Sequence, residues 1–570
     1  MRLSSTMRAV ALVASVVSSL ALPVSVPIGD NLPDASRFAY ADEAKKGELT
    51  FSDINILQLT DVHSWLSGHK HEIGVEATYA DCLSFFEHLK ANAAKFGKDL
   101  FLFNSGDIVD GTGLSDATEI DGEALTPLIQ QMPFTALTSG NHELYRDETM
   151  THMVSSGFVD SWKGRYITGN VHNATTGELI GAPYAIVKGD QKSKILVFGF
   201  LFNMLNNCKA VKVSKVEEAV TEPWFSEALD AASGVDAIVV LVHMDVADVL
   251  IDTILRAIRA KVPIASVVFL AGHTHYRGYR LVDNRAVSME SGKYLDTIGY
   301  LSCSLPTINA QAIACDHVFI TPHLKDFYGL TGTTKKTFPT AAAKAMQKDV
   351  DAIRAKLDLD RTVGCAPLDF LPDAALAKPE SLWSLYLNKV VPAAVFAKDL
   401  PNPVFLASTG ALRYQIYKGP VSLDDTYEVS PFKDTYVIAK DLNAQMLARA
   451  LTALVNSTLD ARVKRTSDKL LLGSTLPDWL ATVVPEDLKS EATYNLVFAE
   501  FDTPHVAEAL KTANAQWAVP TETYRVGEID SRSVWETFMN QSWPCDSRAI
   551  REAGAIKDAQ LALLDVVDNA

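Results

Sequence analysis

Five short motifs in the first half of this chain, each read as the end of a strand, carry side chains able to bind a metal ion. Apolar runs at Ile54–Leu59, 100–103, 195–198, 237–242 and Val267–Ala271 are rich in β-branched or aromatic residues and alternate with longer amphipathic stretches. Runs of that length with helices between them predict buried strands in a mixed α/β layer fold, from about residue 51 to 300. Such strands bury both faces, so the loops at their ends are where polar chemistry collects.

Asp61 and His63 follow the first run in LQLTDVH. Residues two apart in extended chain point to one side, so both can reach one cation. Alone, the pair reads equally well as a surface turn. The next run ends in NSGD, where Gly106 permits a sharp turn and the Asp107 carboxylate can bridge two ions. Alone, that aspartate is an ordinary turn residue. SGNHE at 139–143 offers Asn141 as a neutral oxygen ligand or a helix cap. It also offers His142, the type of side chain best able to move a proton near neutral pH. His243 closes a wholly apolar strand, where a single histidine is more often a satisfied core residue. GHTH at 272–275 supplies His273 and His275. The conjunction is more specific than any member. Asp, His, Asp, Asn, His, His and His form a mixed imidazole and oxygen set suited to zinc, manganese or iron. Loops at one edge of an α/β sheet are where such folds place their sites.

The charge balance limits the partners. Fifty-two basic and 69 acidic side chains leave −17, a surface that repels nucleic-acid polymers. A small phosphorylated substrate remains compatible, because bound metal reverses the field inside a cleft. With 570 residues, 48% of them hydrophobic, two large domains are expected. Residues 334–357 have helical spacing and place a boundary near 335–360. The expected organisation is a signal peptide and leader at 1–45, a metal domain at 50–330, a linker helix at 331–360, a second domain at 361–550 and a tail at 551–570. Arg2 and Arg8 precede an apolar run at 9–26 that Pro23 interrupts. That reads as a cleaved signal peptide rather than a membrane anchor. The expected destination is the secretory pathway, either extracellular or in a vacuole-like or lysosome-like lumen, with no stable membrane insertion after cleavage. Sequons at Asn173, Asn456 and Asn540 agree with export and would make the product a glycoprotein. The six cysteines allow 15 pairings, with Cys303 and Cys315 close enough in sequence to bridge. His69 and His71 (SGHKHE) are read as part of a solvated loop rather than a metal cluster.

The order D-x-H, G-D, G-N-H-E, H, G-H-x-H resembles the calcineurin-like metallophosphoesterases. Within them the chain is similar to the 5′-nucleotidase family, in particular to a eukaryotic, notably fungal, GNHELY branch. Beyond residue 360, STGALR at 408–413 stands where that family has an N-G-G-G-I-R-like stretch, and EVSPF at 428–432 resembles its V-x-P-F segment. The resemblance implies a metallophosphoesterase β-sandwich flanked by helices, followed by a C-terminal α/β substrate domain. It implies two divalent ions: one on Asp61, His63, Asp107 and His275, the other on Asp107, Asn141, His243 and His273. The ions would position a shared hydroxide for attack on a phosphomonoester, most readily a nucleoside 5′-monophosphate. Asp107 and His142 would be catalytic, Arg413 would clamp the phosphate, and Phe432 and Phe501 would stack on a base. Two positions depart from the family. Tyr145 stands where many bacterial members carry an aspartate paired with the catalytic histidine, so His142 must be less basic or be oriented by another group. The glycine-rich stretch after the second stacking aromatic is replaced by FAEFDTP at 498–504. Tyr145 also admits a different reading, a catalytically lapsed binding protein. Another small phosphoester is the alternative substrate.

Overall fold

In the first strand, β1 (Ile54–Leu59), side chains alternate between two apolar layers. Ile54 and Ile56 point into one core with Phe101, Phe103, Val239, Leu241, Val268, Leu270, Val287 and Leu301. Leu57 and Leu59 point the other way, toward Phe85, Phe86, Leu89, Met346 and Val350. This is the period-two pattern of a strand covered on both faces. Each fully buried aliphatic side chain contributes roughly 1.5–3 kcal/mol. The structure is a computed structural model that describes residues 38–40, 49–306, 312–464, 476–514, 521–525 and 527–545, with backbone only at 38–40 and 455–464. The signal-peptide segment, the tail at 551–570 and the Asn456 side chain lie outside the described residues. Residues from Ala39 onward belong to one compact unit.

Besides short strands at Phe38–Tyr40, Val171–Asn173 and Val211–Val213, the further strands of the first domain are β2 (Phe101–Asn104), β3 (Ala136–Leu137), β4 (Tyr184–Lys188), β5 (Lys194–Leu201), β6 (Ala237–His243), β7 (Val267–Ala271), β8 (Arg277–Asp283), β9 (Ala286–Ser291), β10 (Ile298–Ser304) and β11 (Ala314–Ile320). One sheet has the order β11-β10-β1-β2-β3, and the other contains β8-β9-β7-β6-β5-β4. Within them β1, β2 and β3 run parallel, as do β5, β6, β7 and β9. The two sheets face each other across the first core, and helices cover their outer faces. Helix α1 (Tyr79–Lys95) starts at a reciprocal cap, in which Thr78 accepts from Asp81 N and Asp81 accepts from Thr78 N. The expected α/β sandwich is the observed one.

The connecting helix is shorter than its sequence pattern. Helix α2 spans Ala341–Lys356 because Pro339 cannot supply a helical N–H, and the Thr340 hydroxyl accepts from Ala343 N at 3.3 Å. It buries Met346 and Val350 in the first domain's core, so it is a layer of that domain as well as a connector. The second domain is built on a mixed sheet. Its strands are β12 (Pro403–Ser408), β13 (Tyr436–Asn443), β14 (Trp479–Ala481), β15 (Thr493–Ala499) and β16 (Glu522–Tyr524), in the order β14-β12-β15-β13-β16. Phe405, Tyr436, Ile438 and Val497 face one core; Val404, Leu406, Val437, Leu496 and Phe498 face another.

Cys303 and Cys315 stand opposite each other on β10 and β11 and are disulfide-bonded. A second disulfide joins Cys365 to Cys545, while Cys82 and Cys208 are free. Among the described residues no helix is long and apolar enough to cross a membrane.

Candidate functional site

The loops leaving β1, β2, β3, β6 and β7 converge at the carboxyl ends of those strands. Two groups of donors result. In one, Asp61, His63 and His275 bring their ligand atoms within 4.8 Å of one another; in the other, Asp107, His243 and His273 do so. Between neighbouring donors the spacing is 3.4 Å (His275 Nε2 to Asp61 Oδ1), 3.3 Å (His63 Nε2 to His275 Nε2) and 3.1 Å (His243 Nε2 to Asp107 Oδ2). Asn141 Oδ1 lies 3.0 Å from His243 Nε2. Asp107 reaches both groups, since its Oδ2 is also 3.7 Å from His63 Nε2. Separations of about 3–3.5 Å are those of neighbouring ligands around an ion with bonds of roughly 2.0–2.2 Å, so the donors present fit a pair of divalent ions.

Local backbone explains how ligands two apart converge, and it differs from the extended-chain expectation. Asp61, His63, Asp107, His273 and His275 all have positive φ, between 45° and 83°. Such conformations are strained for residues with side chains and persist where surrounding contacts enforce them. Two glycines make room. A Cβ on Gly106 would sit 2.4 Å from Gly140 N, and one on Gly140 would sit 2.1 Å from Asp107 Oδ1. Buried Glu143 clasps the turn by accepting from the backbone N–H groups of Gly140 (2.6 Å), Ile108 (2.7 Å) and Asp107 (3.1 Å). Glu290 does the same for the last loop, accepting from Thr274 N at 2.9 Å and Val246 N at 3.2 Å.

The histidines are oriented from behind. His63 Nδ1 donates to the Val109 carbonyl and His243 Nδ1 to the Ser105 carbonyl, each at 2.8 Å, which turns both Nε2 atoms inward. Burial pushes His63 and His275 well below the ordinary imidazole value, and burial with the nearby His243 takes His273 down to about 4. A neutral imidazole has its lone pair available to a metal. Burial opposes ionisation of Asp107, but His243 and His142 beside it hold the carboxyl well below the usual range.

His142 is not without a carboxylate. Its Nδ1 donates to Asp110 Oδ2 at 2.8 Å, while its Nε2 lies 4.0 Å from Asp107 Oδ2. The partner comes from the loop of Asp107, three residues on, instead of from position 145. The spacing G-D-x-x-D was the signal in the sequence. Tyr145 has another contact: its hydroxyl accepts from Asn141 Nδ2 at 3.0 Å, and burial pushes the phenol up to about 12.

The three residues expected on the substrate side come from the second domain. Arg413 is tied to the EVSPF segment through its backbone N–H, which donates to Val429 O at 2.8 Å. Its Nε donates to Tyr294 Oη at 3.0 Å, and its buried Nη2 has no hydrogen-bond partner. Phe432 lies under the guanidinium, 5.7 Å from it, and is stacked near His142 with centroids 6.1 Å apart. Phe501 is 45% exposed and meets the edge of Tyr145 at 5.5 Å. Tyr294, which carries Arg413, also packs on His63 and His275 at 5.4 and 5.5 Å.

Two further clusters are structural. His69 is 4% exposed, contrary to the solvated-loop reading. It stacks on Trp65 and bridges the Tyr294 carbonyl and the Tyr414 hydroxyl, so it belongs to the contact between the domains. His71 stacks on Tyr417 and pairs with Asp425. Asp110, Asp116 and Asp121 also converge. Cations of the second domain fill that position: Lys433 Nζ is 2.8 Å from Asp121 Oδ1, and Arg532 donates to the Asp116 carbonyl.

Comparison with known proteins bears on the fold and the two domains. Residues 54–277 match the calcineurin-like phosphoesterase family, and residues 370–478 match the C-terminal domain of NAD nucleotidase. A protein of Arthroderma benhamiae named as a secreted protein is 27% identical over 455 residues, covering 72% of this chain and 68% of its own length. The crystal structure of a 5′-nucleotidase from Candida albicans superposes with a TM-score of 0.77 at 26% identity, covering 87% of this chain and all of that one (100%). A 5′-nucleotidase precursor from Thermus thermophilus shares the fold, with a TM-score of 0.60 at 16% identity over 86% of this chain and 97% of its own. The chain therefore carries a calcineurin-like phosphoesterase domain followed by a C-terminal domain of the 5′-nucleotidase kind, and is a metal-dependent phosphoester hydrolase.

Proposed function

We propose that this hydrolase is exported and cleaves a small phosphomonoester, most readily a nucleoside 5′-monophosphate. Asp61, His63, Asp107 and His275 would hold one divalent ion, and Asp107, Asn141, His243 and His273 the other; zinc, manganese and iron suit these donors. When bound, the pair supplies an activated water and neutralises charge on the phosphoryl oxygens. The chain's own groups do the rest. His142, held through Nδ1 by Asp110, keeps Nε2 aimed at the reacting centre, where it can give a proton to the leaving alkoxide. Arg413 Nη2, buried and without a partner, is the observation that carries the substrate reading. A guanidinium nitrogen left without a protein partner beside these donors is placed to bind a phosphoryl oxygen. Phe432 supports that guanidinium, and the exposed Phe501 offers a face to a base.

Replacing Asp110 with asparagine keeps the shape and removes the charge behind His142. Turnover should fall by roughly 10²-fold with KM and metal content unchanged. Wild-type turnover in that variant would remove His142 from the reaction. Tyr145 was the feature favouring a lapsed, binding-only protein, and with Asp110 in place that support is gone.

The substrate test is a panel on metal-reconstituted protein: AMP and other nucleotides, sugar phosphates, and a bis-aryl phosphodiester. Release of phosphate from AMP with the highest kcat/KM is expected, and Arg413→Met should raise KM for it by about 10-fold or more. No phosphate from any nucleotide would sink the nucleotidase reading, and preference for the diester would replace it. Export rests on the basic and apolar N-terminal segment, the two disulfides, which favour an oxidising compartment, and a relative named as secreted. Amino-terminal sequencing of protein recovered from culture medium tests it.

A further inference from the structure

Tyr145 touches the metal ligands yet has no part in the mechanism above. Its hydroxyl accepts from Asn141 Nδ2 at 3.0 Å, and the other end of that carboxamide, Oδ1, lies 3.0 Å from His243 Nε2. The two ends of an asparagine side chain have nearly the same shape but opposite chemistry. Oδ1 has lone pairs for a cation, and Nδ2 has only hydrogens. His243 is already committed, since its Nδ1 hydrogen is given to the Ser105 carbonyl at 2.8 Å. An unrestrained carboxamide could turn by half a revolution and present hydrogens where the ion binds.

We infer that Tyr145 is a positioning residue for the metal centre: its hydroxyl oxygen takes the Asn141 Nδ2 hydrogen and so commits Oδ1 to the ion shared with Asp107, His243 and His273. The inference rests on the dinuclear reading above. The phenol is itself well placed for this. Its ring packs perpendicular to those of His142 and Phe501, with centroids 5.1 and 5.5 Å away, and its Oη lies against Asn141. The substitution that distinguishes this chain from the bacterial pattern thus serves a ligand of the second ion, while Asp110 takes over the task at His142.

Tyr145→Phe removes one oxygen and keeps the ring. Metal-free protein titrated with Mn²⁺ by calorimetry should bind two ions in the wild type. The variant should bind one of them about 10–100-fold more weakly. Turnover of the variant should recover at excess manganese, with KM unchanged. The same change made in an Asn141→Asp background should have no further effect on manganese affinity, because a carboxylate presents oxygen whichever way it turns. Unchanged affinity in the single variant overturns the inference. So does an equal loss in both backgrounds, which would mean that Tyr145 acts only by packing. A wild type that binds no pair of ions overturns the dinuclear reading, and this inference with it.

Discussion

Replacing Asp107 with asparagine should reduce phosphoester hydrolysis by more than roughly 10³-fold. That is already the cost of one missing group stabilising developing charge in other enzymes, and Asp107 stands between both sets of donors. It is 1% exposed, and its Oδ2 lies 3.1 Å from His243, 3.7 Å from His63 and 4.0 Å from His142. Its Oδ1 accepts from His142 N at 2.8 Å, which an asparagine oxygen can preserve. The substitution therefore keeps the turn at 139–143 and removes the negative charge that two cations would share. Bound metal, measured by elemental analysis after gel filtration, should fall from two equivalents to one or fewer. The circular dichroism spectrum of the metal-free protein should match wild type. Retention of a tenth of the activity, or of both ions, would show that Asp107 does not bridge a pair.

The path from sequence to this site was legible in some places and closed in others, for physical reasons. Apolar runs such as 237–242 point to buried strands because they are short and rich in β-branched residues. Their ends then collect the donors, His275 beside Asp61 and His63, and His273 beside Asp107 and His243. The D-x-H pair converges by a route other than the extended chain its spacing predicts, and H-x-H follows the same route. These residues do not share a face of extended chain; positive φ at Asp61, His63, His273 and His275 turns them inward. Asp110 was missed because the spacing G-D-x-x-D does not by itself say that the loop after Asp107 folds back on His142. His69 was misread because its burial is made by Trp65 next to it and by Tyr414 of the other domain, some 345 residues away. The second domain's contribution is the least legible part. Arg413 and Phe432 were found by resemblance to a family motif, and only the fold brings them to Tyr294 and His142. Of the two aromatics expected to stack on a base, Phe432 leans on Arg413 and His142 while Phe501 leans on Tyr145.

Because the site draws on both domains, the contact that holds them together has an energetic signature of its own, and Asp424→Ala should destabilise the protein by about 3 kcal/mol. Asp424 is 1% exposed, yet it answers three groups from elsewhere in the chain. Gly113 N donates to it at 2.8 Å, Lys70 Nζ lies 3.2 Å away, and Arg354 of α2 bonds to it directly. Burial alone would raise its pKa; Lys70 and Arg354 outweigh that and hold it below the ordinary aspartate value. Its removal strands a buried guanidinium edge and a buried N–H, and leaving charge uncompensated in the interior costs roughly 3–5 kcal/mol. The lower end applies because Arg354 keeps Asp360, 2.5 Å from its Nη2. The sign with pH follows from the depressed pKa. The stabilisation is complete above the ordinary aspartate range and is lost as pH falls through the lower folded-state value. Urea unfolding should therefore show a gap between wild type and Asp424→Ala at neutral pH that closes only in acid. Arg354→Met should cost a similar amount, and the double variant much less than the sum, because each single change leaves the other's charge unpaired. Additive losses, or a single-variant loss under 1 kcal/mol at neutral pH, would mean that the domains are held by apolar contacts and that this buried pair only decorates the junction.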